Sequence, residues 1–91
     1  MTITYDLTVD ALSAHKRAGK YYETLPLHLE GVDLNLDLDE DGNILKLEVL
    51  AASHLLELVA RHGGELVIPD RINDPDNFNA LELFPRVPAH A

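Results

Sequence analysis

The feature that most constrains this chain is a run of alternating residues on either side of an Asp-Gly pair. Val32, Leu34, Leu36 and Leu38 are separated by Asp33, Asn35 and Asp37, and after Asp41-Gly42 the chain continues Ile44-Leu45-Lys46-Leu47-Glu48-Val49. Successive side chains of a strand point to opposite faces, so strict alternation puts the apolar residues on one side and the polar residues on the other. An Asp-Gly pair between two such runs predicts a β-hairpin. With a two-residue turn Glu40 faces Asn43, and then Leu38 faces Leu45, Leu36 faces Leu47, Leu34 faces Val49 and Val32 faces Ala51. On the other face Asp37 lies opposite Lys46 and Asn35 opposite Glu48. A slip of one residue would mix the faces, so the register is strongly specified.

The same residues fit a second, incompatible template. Counted from Asp37, acids fall at positions one, three and five, Gly42 at six, Ile44 at eight and Glu48 at twelve, the spacing of an EF-hand calcium loop. In that reading Asp37, Asp39, Asp41 and Glu48 supply the hard oxygen ligands that calcium prefers. It requires a helix before Asp37, yet Leu25 to Leu38 repeats every two residues and contains Pro26 and Gly31. The hairpin is the preferred reading, calcium is the alternative, and no other cofactor is expected.

Elsewhere the chain reads as strands, then a helix, then an irregular tail. Ile3-Thr4-Tyr5 and the stretch opening at Asp10-Ala11-Leu12 are strand candidates. Leu25, Leu27 and Leu29 alternate with Thr24, Pro26 and His28, and Pro26, which has no N–H, predicts an edge position for that strand. Ala52 to His62 reads as a helix burying Leu55, Leu56, Leu58 and Val59, capped by Ser53 and ended by Gly63-Gly64. Glu65-Leu66-Val67-Ile68 reads as a short strand ended by Pro69. In the tail, Asp74-Pro75 suits the start of one helical turn. Phe78, Leu81, Leu83 and Phe84 form its dense apolar group, expected to pack on the sheet, with docking to another chain as the alternative. The expected fold is α+β, a small antiparallel β-meander with one helix packed on one face. Residues 1–69 form the domain and residues 70–91 a C-terminal tail that packs on it or docks a partner.

Charge narrows the function classes. The net charge is −9. Residues 1–29 are balanced, residues 30–48 carry seven acids against Lys46, and the remainder carries six acids against three arginines. A field concentrated in the middle of the chain repels nucleic-acid phosphates and speeds encounter with a basic partner. The chain has no Cys, which removes disulfides and thiolate metal sites. It opens without a signal peptide and holds no apolar run of membrane-spanning length, so a complete, cytoplasmic chain is expected, with no membrane and no direct nucleic-acid partner. His15, His28, His54, His62 and His90 fall in no zinc spacing, no glycine-rich loop opens a helix, and Ser13 and Ser53 lack the strand-turn-helix setting of a nucleophile. The carboxylates cluster at a solvated turn rather than a dry pocket. A noncatalytic protein is expected.

The segments Ile3-Thr4-Tyr5-Asp6, Asp10-Ala11-Leu12, Asp37-Leu38-Asp39-Glu40-Asp41-Gly42-Asn43-Ile44 and Glu48-Val49-Leu50-Ala51-Ala52-Ser53 resemble a family of short bacterial domains of unknown function, the one numbered twenty-two eighty-three. The resemblance covers roughly residues 2 to 56. It implies a small antiparallel meander followed by a helix and assigns the acidic Asp-Gly segment to a turn. Ser13-Ala14-His15 departs from the usual aromatic and aliphatic strand, and the tail from Glu65 has no counterpart. Members encoded beside small basic toxin-like proteins imply an antitoxin-like role by analogy.

Three functions follow as expectations. The first is a protein-binding module that holds a basic protein partner through Asp33, Asp37, Asp39, Glu40, Asp41 and Glu48, with Phe78 and Phe84 of the tail. The second is a small acidic inhibitor of a nucleic-acid enzyme, of the phage anti-defence kind. The third is a calcium-binding loop protein. Open sheet edges also predict a homodimer.

Overall fold

The computed structural model describes residues 2–86, so His90 and the last residues of the tail lie outside the described residues. Five strands form: β1 (Thr2–Asp6), β2 (Ala11–His15), β3 (Glu23–Leu29), β4 (Val32–Leu38) and β5 (Ile44–Leu50). All neighbouring strands are antiparallel, in the order β1-β2-β5-β4-β3. The β3-β4-β5 meander is joined to the β1-β2 hairpin where β2 pairs with β5, which puts β5 at the centre. β3 is an edge strand, the position Pro26 requires. Its turn to β4 is Glu30-Gly31, both left-handed at φ 39° and 90°, a tight hairpin turn whose second residue is a glycine.

The hairpin between β4 and β5 reaches the expected register by an unexpected route. Asp39 N–H donates to Asn43 O at 3.0 Å and Gly42 N–H to Asp39 O at 3.1 Å. The loop is therefore three residues, Glu40, Asp41 and Gly42, with Gly42 left-handed at φ 84°. Alone, that loop would shift the pairing by one residue and turn the leucines to the wrong face. A bulge corrects it: Leu38 pairs with Ile44, but Asp37 pairs with Lys46, leaving Leu45 without an opposite number. Leu36↔Leu47, Leu34↔Val49 and Asn35↔Glu48 then fall as the alternation predicts. The expected pair of Val32 with Ala51 does not form. The ladder ends at Asp33↔Leu50, where Ala51 turns left-handed at φ 58°. Leu45, expected opposite Leu38, is buried apart from the main core against Gly19, and its carbonyl accepts from Lys16 N–H at 2.8 Å.

One face of the sheet carries the core. Val32, Leu34, Leu36, Leu38, Ile44 and Val49 are all but solvent-free, and Leu27 and Leu29 join them from β3. Burial of each such side chain contributes roughly 1.5–3 kcal/mol, which makes this face the main source of stability. The helix is shorter than the sequence implies: a 3-10 turn over Ala52–His54 leads into α1 (Leu55–Arg61). Leu58 is fully buried and Leu55 and Val59 partly so, but Leu56, expected on the buried side, is 80% exposed. Seven residues make barely two turns, enough to press a narrow stripe on the sheet. Gly63 and Gly64 are both left-handed and end the helix, with Gly64 N–H donating to Val59 O at 2.8 Å.

Ser53 does not cap the helix. Its hydroxyl donates to Asp10 Oδ2 at 2.7 Å, and its N–H meets the same carboxylate at 3.0 Å, so a residue from the β1–β2 turn fixes the entry to the helical segment. The strand expected at Glu65 to Ile68 is also absent. Among the described residues the segment's one ladder-like bond is Val67 N–H to Leu83 O at 2.8 Å, while Leu66 and Ile68 pack on the core. It lies over a sheet face, where no strand edge is offered to it. The tail follows with a 3-10 turn at Pro75–Asn77 and another at Ala80–Leu83. Ile72, Leu83 and Phe84 are buried in the same core as the sheet.

Candidate functional site

The hairpin tip is held by its own side chains before anything else touches it. The Asp39 carboxylate accepts from Asp41 N–H, Asn43 N–H and Asn43 Nδ2, each at 2.9 Å. The Asn43 side chain is the largest reason its pKa lies below the ordinary aspartate value, with the two backbone donors and Arg17 adding to it. The C-terminal segment then clamps the loop: Ile44 N–H donates to Asp70 O at 3.0 Å, Ile72 N–H donates to Gly42 O at 2.9 Å, and Asn43 bridges Arg71. Lys16 holds that segment in turn, its Nζ lying 2.9 Å from Ile68 O and 3.2 Å from the Asp70 carboxylate. The tip is thus tied down by its own side chains and by the C-terminal segment, and Glu40 and Asp41 project from it into solvent.

Beside these two acids the connection from β2 returns to the sheet. Tyr22 N–H donates to Leu38 O at 2.8 Å, which sets Tyr21 and Tyr22 against the tip. Lys20, Tyr21, Tyr22, Asp39, Glu40 and Asp41 line one cleft of about 470 Å³. Both rings are accessible, Tyr21 at 57% and Tyr22 at 61%. Thr24 donates its hydroxyl to Asp37 Oδ1 at 2.8 Å, so the 2.8 Å contact between Tyr21 and Thr24 has the tyrosine as donor. A chain of two hydrogen bonds orients the Tyr21 ring. Two aromatic faces thus stand beside the carboxylates of Glu40 and Asp41, with Lys20 on the same rim.

The residues nominated from the sequence fall into three places. Asp39, Glu40 and Asp41 are at the tip. Asp33, Asp37 and Glu48 are on the face of the sheet away from the core, spread over different rows: Asp33 bonds His28 Nδ1 at 2.6 Å, Asp37 pairs in register with Lys46, and Glu48 lies between Ser13 and Asn35. Phe78 and Phe84 belong to the core side. Phe84 is buried and stacks on His62 with ring centroids 4.8 Å apart, so it packs instead of docking, while Phe78 is partly buried. The calcium ligand set Asp37, Asp39, Asp41 and Glu48 is not assembled. A strand stands where an EF-hand needs its first helix, the Asp39 oxygens face their own loop, and among the described residues no three His, Asp or Glu side chains are grouped to hold a metal.

Sequence reasoning missed Tyr21 and Tyr22. Their signal was available, as adjacent rings in a chain with only five aromatic residues. It also missed Asp10, whose carboxylate gathers Tyr5 OH at 2.6 Å and the Ser53 donors, with the Tyr5 bond first in holding its pKa down. Glu30 is a third such hub: His62 Nε2 at 2.9 Å and Arg61 at 3.7 Å tie the β3–β4 turn to the helix end and lower the Glu30 pKa, the His62 bond most. These two hubs join pieces of the fold.

A family model described as a protein of unknown function (DUF2283) matches residues 2–53. The chain belongs to this family. The DUF2283 match spans all five strands and the tip with its two tyrosines, and ends at Ser53, so α1 and the clamping segment 70–72 lie beyond it. No curated protein and no solved structure matches the chain. Among the described residues no helix is long and apolar enough to cross a membrane.

Proposed function

We propose that this DUF2283 chain is a noncatalytic protein-binding module whose hairpin tip takes a basic side chain of a partner protein. The observation that carries the reading is the cleft in which Tyr21 and Tyr22 stand beside Glu40 and Asp41, and where three acids with Asp39 outnumber the single cation Lys20. Bare acids attract any cation weakly, whereas rings next to acids favour lysine and above all arginine, whose guanidinium stacks and forms paired hydrogen bonds. The fixed loop lowers the entropy lost on binding. An antitoxin-like role is one form such a module takes. The phosphate-mimic reading is less supported, because Lys46 and His15 interrupt the acids of the open sheet face.

Titration calorimetry with an arginine-rich peptide and an acidic control tests this. Binding to the arginine peptide alone is expected, weakened about tenfold by Tyr21→Ala with Tyr22→Ala and again by Glu40→Gln with Asp41→Asn, as the loss of about 1.4 kcal/mol each time. Equal heats for both peptides, or full affinity in the tyrosine variant, refute it.

A further inference from the structure

The two edges of the sheet are not alike. β3 carries Pro26, which lacks the N–H that an added strand needs, so that edge is blocked to continuous pairing. β1 has no proline, no lysine and no charge on its core-side face. Among the described residues it pairs only with β2, and all five of its residues are exposed. On the core-side face Ile3 is 62% exposed and Tyr5 46%, because α1 and the tail cover the other end of the sheet. Leu7 and Val9, in the turn that follows, are 82% and 64% exposed. An open edge next to apolar side chains is a template for another strand, and natural proteins either blunt such an edge or use it.

We infer that β1 pairs with β1 of a second copy, antiparallel about a two-fold axis at Thr4, joining two five-stranded sheets into one. The strand is complementary to itself in that register. Thr4 faces Thr4, Ile3 faces Tyr5, and Thr2 faces Asp6. Threonine pairs and aromatic–β-branched pairs are favourable cross-strand neighbours, and no two like charges are opposed. The axis is perpendicular to the sheet, so Ile3 and Tyr5 of both copies meet on the core-side face beside Ala14 and Leu12. Asp6 is engaged locally, accepting from Thr8 N–H at 2.9 Å. Residues 2–15 carry only Asp6 and Asp10 as acids, so two chains of net charge −9 meet where their repulsion is least. In this register the overlap is residues 2–6 of each copy, and the Leu7–Val9 turn lies past its end. The dimer leaves the hairpin tip free and does not depend on the proposed basic partner.

The chain has no Cys, so single cysteines report the register directly. Under mild oxidation Thr4→Cys is expected to give a disulfide-linked dimer, since residues directly opposed across an antiparallel pair have Cα atoms about 4.5–5.5 Å apart, within disulfide reach. Thr2→Cys should not crosslink, because two copies of residue 2 lie about 14 Å apart along the strands. Sedimentation velocity should show the wild type as a dimer whose dissociation midpoint rises at least tenfold in Ile3→Lys, with the melting temperature of the monomeric variant confirming that it folds. A wild type that stays monomeric to millimolar concentration overturns the inference, and so does equal crosslinking at positions 2 and 4.

Discussion

Gly42→Ala separates two effects that the hairpin tip superimposes. Gly42 is left-handed at φ 84°, where an L side chain is strained by about 1–2 kcal/mol. The new Cβ would also lie 2.3 Å from Ile72 O, well inside van der Waals contact. A backbone carbonyl cannot swing aside as a flexible side chain can. Relief requires segment 70–72 to move off the tip, which weakens the Ile72 N–H to Gly42 O bond, worth roughly 0.5–1.5 kcal/mol. The two contributions place the loss at about 1.5–3.5 kcal/mol. Gly31→Ala is the internal control, being left-handed at φ 90° with nothing within 4 Å of its Cβ, so it should lose the conformational strain of about 1–2 kcal/mol alone. Urea denaturation followed by circular dichroism reads both, the midpoint falling with an unchanged slope if the native state stays compact. Equal losses in the two variants would show that the tail does not clamp the tip, and a loss under about 0.5 kcal/mol in Gly42→Ala would refute the turn geometry itself.

Further outcomes follow from the same structure. Leu36→Ala empties a solvent-free site between Leu25 and Leu47 and should cost about 2–5 kcal/mol in urea unfolding, a large share of the stability of a domain this size. Asp10, Glu30 and Asp39 all have lowered pKa values in the fold, so their contributions are complete above the ordinary carboxylate range and are lost as pH falls through the lowered values. Acid unfolding should therefore be less steep in Asp39→Asn than in the wild type, and salt should blunt the difference because Glu30 is exposed and Asp10 and Asp39 are only half-buried. Calcium titration should give no saturable heat at millimolar ion, since Asp37, Asp39, Asp41 and Glu48 do not converge.

Much of the sheet was legible because alternation and proline act locally. Val32 to Leu38 declared its buried face, Pro26 declared an edge, and the register of Leu34 and Leu36 followed. The three-residue loop and the bulge at Leu45 were not legible, because they are two one-residue errors that cancel over most of the hairpin. Their cause is the Asp39 carboxylate, which binds donors two and four residues ahead and favours the longer loop. Ser53 looked like a cap because Asp10, 43 residues away in sequence, is its real partner. Glu65 to Ile68 had the composition of a strand, but composition does not reveal whether an edge is free to receive it. The candidate site was half visible: the acids stood out by charge, while Tyr21 and Tyr22 join them only because the connection after β2 returns to Leu38.

A basic partner is proposed to bind at the tip rather than over the whole acidic surface. Amide chemical-shift mapping during titration with an arginine-rich peptide tests it most directly. Saturable shifts at Tyr21, Tyr22, Glu40 and Asp41, with Asp33 and Glu48 unmoved, are the predicted result. Shifts spread evenly over the acids of the sheet face, or none at all, would contradict it.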